Sequence, residues 1–175
     1  LLDRITAWHP GERAVGVKAI TRSDGAAPDV AVGFTGRTPL IEAMAQLSAY
    51  LLGDAEAREG RRVLSLMIGL DRLRFHEDPR PGDRLILDAR VAARGPEGAR
   101  VEVAARADER PVADGRLTFA FFAAETPAQA RDFDWTQAHL ALLMAQLSPP
   151  STGGDARHGQ GWVDAASPSA STPGQ

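Results

Sequence analysis

The most informative part of this chain is the stretch Gly33-Phe34-Thr35-Gly36-Arg37-Thr38-Pro39-Leu40-Ile41-Glu42-Ala43-Met44-Ala45-Gln46, which joins a glycine-rich loop to a helix. Thr38 is a favoured N-cap residue, and Pro39 suits the first helical position because its missing N–H would have no partner there. Apolar side chains then cover most of the helix circumference, at Leu40, Ile41, Met44, Ala45, Leu47, Leu51 and Leu52. A helix that is apolar all round is buried, so we predict a central helix from about Pro39 to a stop at Gly53.

Two polar side chains, Glu42 and Gln46, interrupt the apolar surface of this helix. They lie four residues apart and therefore share one face. An ionised carboxylate on a buried helix is costly unless it is paired or its pKa rises, which makes Glu42 the candidate for acid–base chemistry. The alternative for Glu42 is a structural role, held by backbone donors. Gln46 is expected to form hydrogen bonds one turn along.

Segments of period-2 or continuous apolar character predict strands on both sides of the helix. They are residues 14–20 before it, and residues 63–75, 84–92, 100–107 and 116–123 after it. Short turns rich in Pro, Gly and Asp separate the later segments, and strands joined by such turns form an antiparallel meander. We therefore predict an α+β fold in which an antiparallel sheet wraps the long central helix. The charged segment 54–62 is expected to be a solvated connection.

Residues 1–125 are predicted to form this domain, and two appendages follow it. Residues 126–148 are predicted to form an amphipathic helix. Its apolar face is expected to dock onto the domain or a neighbour through Trp135, Leu140, Leu143 and Met144. Residues 149–175 are rich in Ser, Gly, Pro and Ala and bury too little apolar surface to offset their ordering entropy, so we predict a disordered tail.

Composition narrows the classes of function that fit the chain. A net charge of -3 and a pI near 5.8 argue against a general nucleic-acid-binding protein. No apolar run long enough for a transmembrane helix is present, and we expect a cytoplasmic protein. The absence of cysteine excludes a thiol nucleophile and a thiolate metal site. No cofactor is expected. The chain begins at Leu1 without a methionine, which suggests a fragment or a trimmed chain.

Several motifs follow one another in a fixed order along the chain. They are Leu1-Leu2-Asp3-Arg4-Ile5, the loop Phe34-Thr35-Gly36-Arg37-Thr38-Pro39, the helical Ile41-Glu42-Ala43-Met44-Ala45-Gln46, then Leu70-Asp71-Arg72-Leu73-Arg74-Phe75 and Pro81-Gly82-Asp83-Arg84-Leu85. Over residues 1 to about 123, this order resembles the β-hydroxyacyl-(acyl carrier protein) dehydratases of the hot-dog fold. The resemblance implies that two sheets join, so we expect a homodimer or a higher oligomer of dimers with an acyl tunnel between subunits.

The resemblance also implies an activity, the dehydration of a 3-hydroxyacyl thioester on acyl carrier protein or coenzyme A in fatty-acid or related acyl-chain biosynthesis. In the family a loop histidine is the base, the helix glutamate is the acid, and backbone N–H groups polarise the thioester carbonyl. Glu42 matches that glutamate, and the candidate substrate-binding residues are Gly33, Phe34, Gly36 and Gln46. Gly33 stands where the family carries its histidine, and the loop is several residues shorter. We therefore expect impaired dehydration, because no base is present at that position.

Among the other histidines, His76 is the best candidate substitute, because a strand end beside the helix could aim its ring at the tunnel or at a partner subunit. The alternative is an exposed or carboxylate-paired histidine. A metal site with Glu77 and Asp78 is not predicted, since adjacent residues of a strand point to opposite faces. Four arginines either attract an acidic carrier protein or line solvated strand faces: Arg72, Arg74, Arg80 and Arg84.

Four functional hypotheses follow from these observations. The first is a dehydratase or a close relative acting on acyl thioesters, which the Glu42 motif favours. The second is a non-catalytic hot-dog subunit that binds acyl chains or completes a heteromer, which the missing histidine favours. The third is a hot-dog thioesterase in which Glu42 activates water. The fourth is a non-enzymatic acyl-thioester sensor, which is disfavoured because no DNA-binding segment is visible.

Overall fold

The computed structural model describes residues 1–21, 37–145 and 147. Its elements are β1 (Arg4–His9), β2 (Arg13–Ala19), α1 (Arg37–Arg58), β3 (Val63–Phe75), β4 (Arg84–Gly95), β5 (Gly98–Ala107), β6 (Arg110–Ala123) and α2 (Pro127–Met144). All six strands form one sheet in the order β1-β2-β4-β5-β6-β3, and every neighbouring pair is antiparallel. The α+β architecture predicted from the sequence is confirmed.

The long helix α1 is covered on two sides, which explains why it is apolar all round. One side packs on the inner face of the sheet, where β5 presents only buried residues to it: Ala99, Val101, Val103, Ala105 and Ala107. The other side packs against α2, whose Phe133, Leu140 and Leu143 are buried. The sheet therefore does not wrap the helix alone, as the sequence suggested, because the C-terminal helix covers the remaining surface.

The prediction that the central helix stops at Gly53 is wrong, since α1 continues to Arg58. The charged segment after Gly53 is helical and partly buried because its charges are paired. Asp54 and Arg58 form an i,i+4 ion pair at 2.8 Å. Glu56 is fully buried, and Arg94 Nη1 of β4 lies 2.6 Å from its carboxylate. Paired charges thus extend the helix where the sequence predicted a solvated connection.

The strands also exceed their predicted limits. The first strand, β1, was not predicted, and β6 begins at Arg110 rather than at residue 116. β3 carries two bulges against β6, and in the second of them Arg72 adopts a left-handed backbone with φ of 54°. There a Cβ on Gly115 would lie 2.7 Å from the Cα of Leu73, so only glycine allows the bulged strand to approach this closely.

The C-terminal helix α2 begins with a capping box. Thr126 accepts a hydrogen bond from the backbone N–H of Gln129, whose side chain accepts one from the backbone N–H of Thr126. Leu140 and Leu143 dock as predicted, but Trp135 is 62% exposed because it stacks on His139 instead of entering the core. No helix in the described ranges is long and apolar enough to cross a membrane. The predicted disordered tail, 149–175, lies outside the described residues.

Candidate functional site

Glu42 lies in the second turn of α1, and its side chain is exposed. The expectation that Glu42 is buried is therefore wrong for the single chain, although its neighbours Ala43 and Met44 are buried. The reason is position: this part of the helix lies before the segment that α2 covers, which includes Tyr50 and Gly53. An exposed carboxylate at this point is free to meet a substrate or a second chain.

One turn further along, Gln46 is half-buried and accepts a hydrogen bond from the backbone N–H of Leu2 at 2.9 Å. The N-terminal segment therefore contacts α1 at Gln46, one turn beyond the exposed Glu42. This bond agrees with the expected hydrogen-bonding role of Gln46. Its role in substrate binding stays a prediction.

Tyr50 is the nearby ionisable group that sequence reasoning missed. Its side chain is buried, and burial together with the negative charge of Glu42 raises the pKa of its phenol to about 12. Its ring stacks on the imidazole of His139, with centroids 5.8 Å apart. The available sequence signal was a single tyrosine on an otherwise aliphatic helix, placed two turns after Glu42. The field of the Glu42 carboxylate thus reaches the point where α1 meets α2.

The start of α1 lies beside the end of β3. Arg37 Nε is 2.5 Å from a carboxylate oxygen of Asp78, and the Arg37 guanidinium lies over the Phe75 ring, 4.8 Å from its centroid. A helix start favours negative charge that develops on a nearby thioester oxygen. The loop residues Gly33, Phe34 and Gly36, predicted to bind substrate here, lie outside the described residues.

His76 lies on the opposite face of the sheet from α1. It pairs with Asp114, which is opposite Ala104 in the β5–β6 ladder, whereas the next residue, Ala113, is opposite the buried Ala105. Since alternate residues point to opposite faces, Asp114 and His76 lie on the outer face. The structure therefore does not bring His76 and Glu42 of one chain together. The pairing of His76 with Asp114 fits the alternative of a carboxylate-paired histidine, and a catalytic role of His76 stays a prediction.

The four arginines singled out in the sequence, Arg72, Arg74, Arg80 and Arg84, are exposed, and none forms an ion pair within the described part of the chain. They lie at the end of β3, in the turn after it and at the start of β4. This is the end of the sheet where Asp78 meets the first residue of α1. These four arginines therefore add positive charge at this end of the sheet, although Arg74 and Arg84 lie on the outer face, away from α1.

No known family profile matches the chain. It is 35% identical over 130 residues to the 3-hydroxyacyl-[acyl-carrier-protein] dehydratase FabZ of Bacillus velezensis, covering 69% of this chain and 85% of that protein. It is also 34% identical over 125 residues to the FabZ of Bacillus thuringiensis, covering 69% and 83%. The chain belongs to the FabZ dehydratase family. It thus falls among hot-dog enzymes that act on acyl thioesters, as the sequence motifs indicated.

Solved structures share the fold of this chain. Smu.793 of Streptococcus mutans, bound to acetyl CoA, superposes with a TM-score of 0.52 at 13% identity, covering 70% of this chain and 90% of the other. Conserved protein PA5202 of Pseudomonas aeruginosa gives 0.53 at 18% identity, covering 68% and 87%. At these identities the likeness establishes the hot-dog fold alone.

Proposed function

We propose that this FabZ relative binds 3-hydroxyacyl thioesters and dehydrates them slowly, with Glu42 as its acid–base group. The observation that carries the proposal is the exposed carboxylate of Glu42 on the central helix, at the residue that the sequence motif matches to the family's glutamate. The reaction removes a proton from C2 and expels the C3 hydroxyl as water, leaving an enoyl thioester. It needs a base, an acid and donors for the thioester oxygen.

The expected impairment follows from the number of proton-transfer groups. Gly33 offers no side chain that could take the C2 proton, and His76 lies across the sheet from Glu42. Glu42 must then act at both carbons, taking the C2 proton as a carboxylate and returning one to the leaving oxygen through a water relay. One carboxyl that serves two atoms is a poorer catalyst than two positioned groups.

A second copy of the chain is part of this proposal. Among the described strands β3 is the last of the sheet, and no described strand pairs with its outer backbone edge. On its inner face Met67 and Leu70 are 37% and 48% exposed, so the side facing the helix layer is incomplete in one chain. We propose that two chains pair through β3, which covers these side chains and encloses Glu42 beside an acyl chain.

The thioester is proposed to arrive on a phosphate-bearing carrier, either acyl carrier protein or coenzyme A. The arginines without ion-pair partners at the end of the sheet where α1 begins support this choice. Arg72 and Arg80 represent the two parts of that cluster, on the strand and in the turn. Exposed positive charge raises the local concentration of an anionic ligand and loses that effect as salt is added.

The test is a turnover assay of the purified protein with a 3-hydroxyacyl thioester, following enoyl formation and free thiol separately. We expect slow enoyl formation that falls roughly 10²-fold or more in Glu42→Gln, which keeps the side-chain size and removes the ionisable group. The matched control is Glu12→Gln, an exposed glutamate in the β1–β2 turn, which should leave the rate unchanged.

The other hypotheses appear as distinct outcomes of the same assay. Release of thiol without enoyl formation would replace the dehydratase proposal with thioesterase activity. Saturable binding of the thioester without either product would indicate a non-catalytic acyl-binding subunit. Unchanged enoyl formation in Glu42→Gln would remove Glu42 from the mechanism.

A further inference from the structure

The C-terminal helix α2 has a second apolar face besides the one that packs on the domain. Phe133, Leu140 and Leu143 are buried against the rest of the chain. On the opposite side of the helix, Trp135 is 62% exposed and Leu142 is 68% exposed. The motifs that resemble the dehydratase family end near residue 123, so this second face lies outside the candidate site and outside those motifs.

Trp135, Ala138 and Leu142 form a stripe along the exposed face of α2. Their spacing of three and four residues places them on one side of the helix, and Ala138 is exposed as well. Because the side chain of Ala138 is a single methyl group, it leaves a notch between the two larger side chains. We call these three residues the α2 stripe. Adjacent exposed apolar side chains, unlike single ones, mark a contact surface.

The size of the α2 stripe decides between its possible occupants. A stable contact between two chains buries about 1,200 Å² or more, whereas one aromatic side chain buries about 150–250 Å². Two large side chains and an alanine are therefore too few to hold a second copy. A segment that is tethered nearby needs much less area, because its local concentration is roughly millimolar. The α2 stripe thus fits a short segment of the same chain.

The part of the chain that follows α2 contains one such segment, Gly161-Trp162-Val163-Asp164. Among residues 148–175, Trp162 and Val163 have the only large apolar side chains. The composition of the tail as a whole predicts disorder. These two side chains are the exception, because transfer of their apolar surface out of water is favourable.

The connection is long enough for Trp162 to return to α2. Leu147, the last described residue, lies nine residues after Ala138, which is about 14 Å along a helix. The fifteen residues from Leu147 to Trp162 span up to about 50 Å. The Pro149-Pro150 and Gly153-Gly154 pairs between them are turn signals. The tail is therefore able to run back along α2 in the antiparallel direction.

We propose that Trp162 packs into the notch over Ala138, between Trp135 and Leu142, and fastens the tail to α2. In the antiparallel direction Asp164 lies towards the first turns of the helix. Arg131 is exposed there, on the side of the α2 stripe, and forms no ion pair with a described residue. An ion pair between Asp164 and Arg131 would complement the apolar contact. The contact is local, so it opens without unfolding the domain.

The test follows the tryptophans by fluorine NMR of the full chain labelled with 5-fluorotryptophan. The chain has three tryptophans and gives one signal for each, and Trp135→Phe and Trp162→Phe assign them. We expect Trp162→Ala to move the signal of Trp135, because it removes the neighbouring indole ring. The signal of Trp8, whose indole bonds to Asp54 of α1, should stay in place.

Leu142→Asp is the reciprocal variant, because it places a charge in the α2 stripe. We expect it to move the Trp162 signal to that of a labelled peptide of residues 156–166, which reports an undocked indole. The control is Ala141→Asp, which adds the same charge at the neighbouring exposed position, about 100° away around the helix. It should leave the Trp162 signal unchanged. Circular dichroism identifies the folded variants.

A Trp162 signal that coincides with the peptide signal in the wild-type protein would overturn the proposal. A Trp135 signal that Trp162→Ala leaves unchanged would overturn it too, and this variant alters only the tail, so its result does not depend on Leu142→Asp folding. The wild-type signals should be the same at all protein concentrations. A Trp162 signal that reaches the peptide position on dilution would assign the contact to a second copy and contradict the tethered arrangement.

Discussion

The phenol ring of Tyr50 on α1 stacks on the imidazole ring of His139 on α2, with 5.8 Å between their centroids and 29° between their planes. Trp135 also stacks on His139, with 5.1 Å between their ring centroids. The contact between α1 and α2 therefore includes three aromatic rings, and it covers the side of α1 that faces away from the sheet. The same phenol senses the charge of Glu42, so it reports on the candidate site and on the helix contact together.

The ionisation of Tyr50 can be followed directly, because it is the only tyrosine in the chain. Its pKa is raised to about 12 in the folded protein, against about 10 in an unfolded chain. We expect little phenolate absorbance in the native protein at pH 10, where a urea-unfolded sample is half ionised. The stability that this shift contributes is complete below pH 10 and is lost as the pH rises towards 12.

The Glu42→Gln variant is the control for the electrostatic part of this shift. Removal of the negative charge should lower the pKa of Tyr50, while burial keeps it above that of an unfolded chain. Superimposable titrations of the native and unfolded wild-type protein would show that Tyr50 is solvated. Identical titration midpoints of Tyr50 in the wild type and in Glu42→Gln would show that the charge of Glu42 does not affect the phenol.

The stability of the fold around α1 also depends on the buried side chain of Glu56. Its carboxylate is fully buried, with Arg61 Nε and Arg94 Nη1 each 2.6 Å from one of its oxygens. We expect Glu56→Ala to lower the free energy of unfolding by about 3 kcal/mol, because it removes the buried partner of Arg61 and Arg94 and leaves them only the half-exposed Glu59. Urea denaturation measures the change.

The neighbouring Glu59 supplies the matched control. It also pairs with Arg61 and Arg94, but its side chain is 47% exposed. Water therefore solvates the charges that lose this partner in Glu59→Ala. Glu59→Ala should move the denaturation midpoint far less than Glu56→Ala. Equal midpoints for the two variants would contradict a stabilising role for the buried carboxylate.

Docking of α2 can be tested with two leucines on the same helix. Leu140 is 3% exposed and Leu142 is 68% exposed. We expect Leu140→Ala to cost about 2–4 kcal/mol of stability through lost burial and a residual cavity. Leu142→Ala should stay within about 0.5 kcal/mol of wild type, as surface substitutions do. If thermal unfolding showed no difference between the two, α2 would not pack on the domain in solution.

The long helix could be predicted from its capping residues and its continuous apolar surface, and the sheet from apolar segments separated by short turns. The end of α1 at Arg58 could not be predicted, because Gly53 followed by a run of charges is typical of a helix end. One partner of the buried Glu56, Arg94, comes from a distant strand. β1 is short and edge-located, so its pattern was too brief to recognise. Local sequence carries no information on such tertiary pairing.

The sequence could predict which residue forms the candidate site, but it could not predict the surroundings of that residue. Glu42 stood out as the one carboxylate in the predicted helix, residues 39–52, and its match to the family's glutamate comes from the sequence motif alone. Its exposure could not be predicted, because it depends on how far along α1 the second helix reaches. For the same reason His139, which lies 89 positions after Tyr50 in the chain, gave no sign that it would stack on Tyr50.

The central claim is that this chain retains a dehydratase site that lacks its base. The most direct measurement is the rate of enoyl thioester formation by Gly33→His, with Gly33→Ala as the control for loss of glycine. A positioned imidazole near its pKa should raise the rate roughly 10²-fold over wild type, and the gain should disappear when Glu42→Gln is added. A folded Gly33→His protein with the wild-type rate, or one whose gain survives without Glu42, would contradict the account.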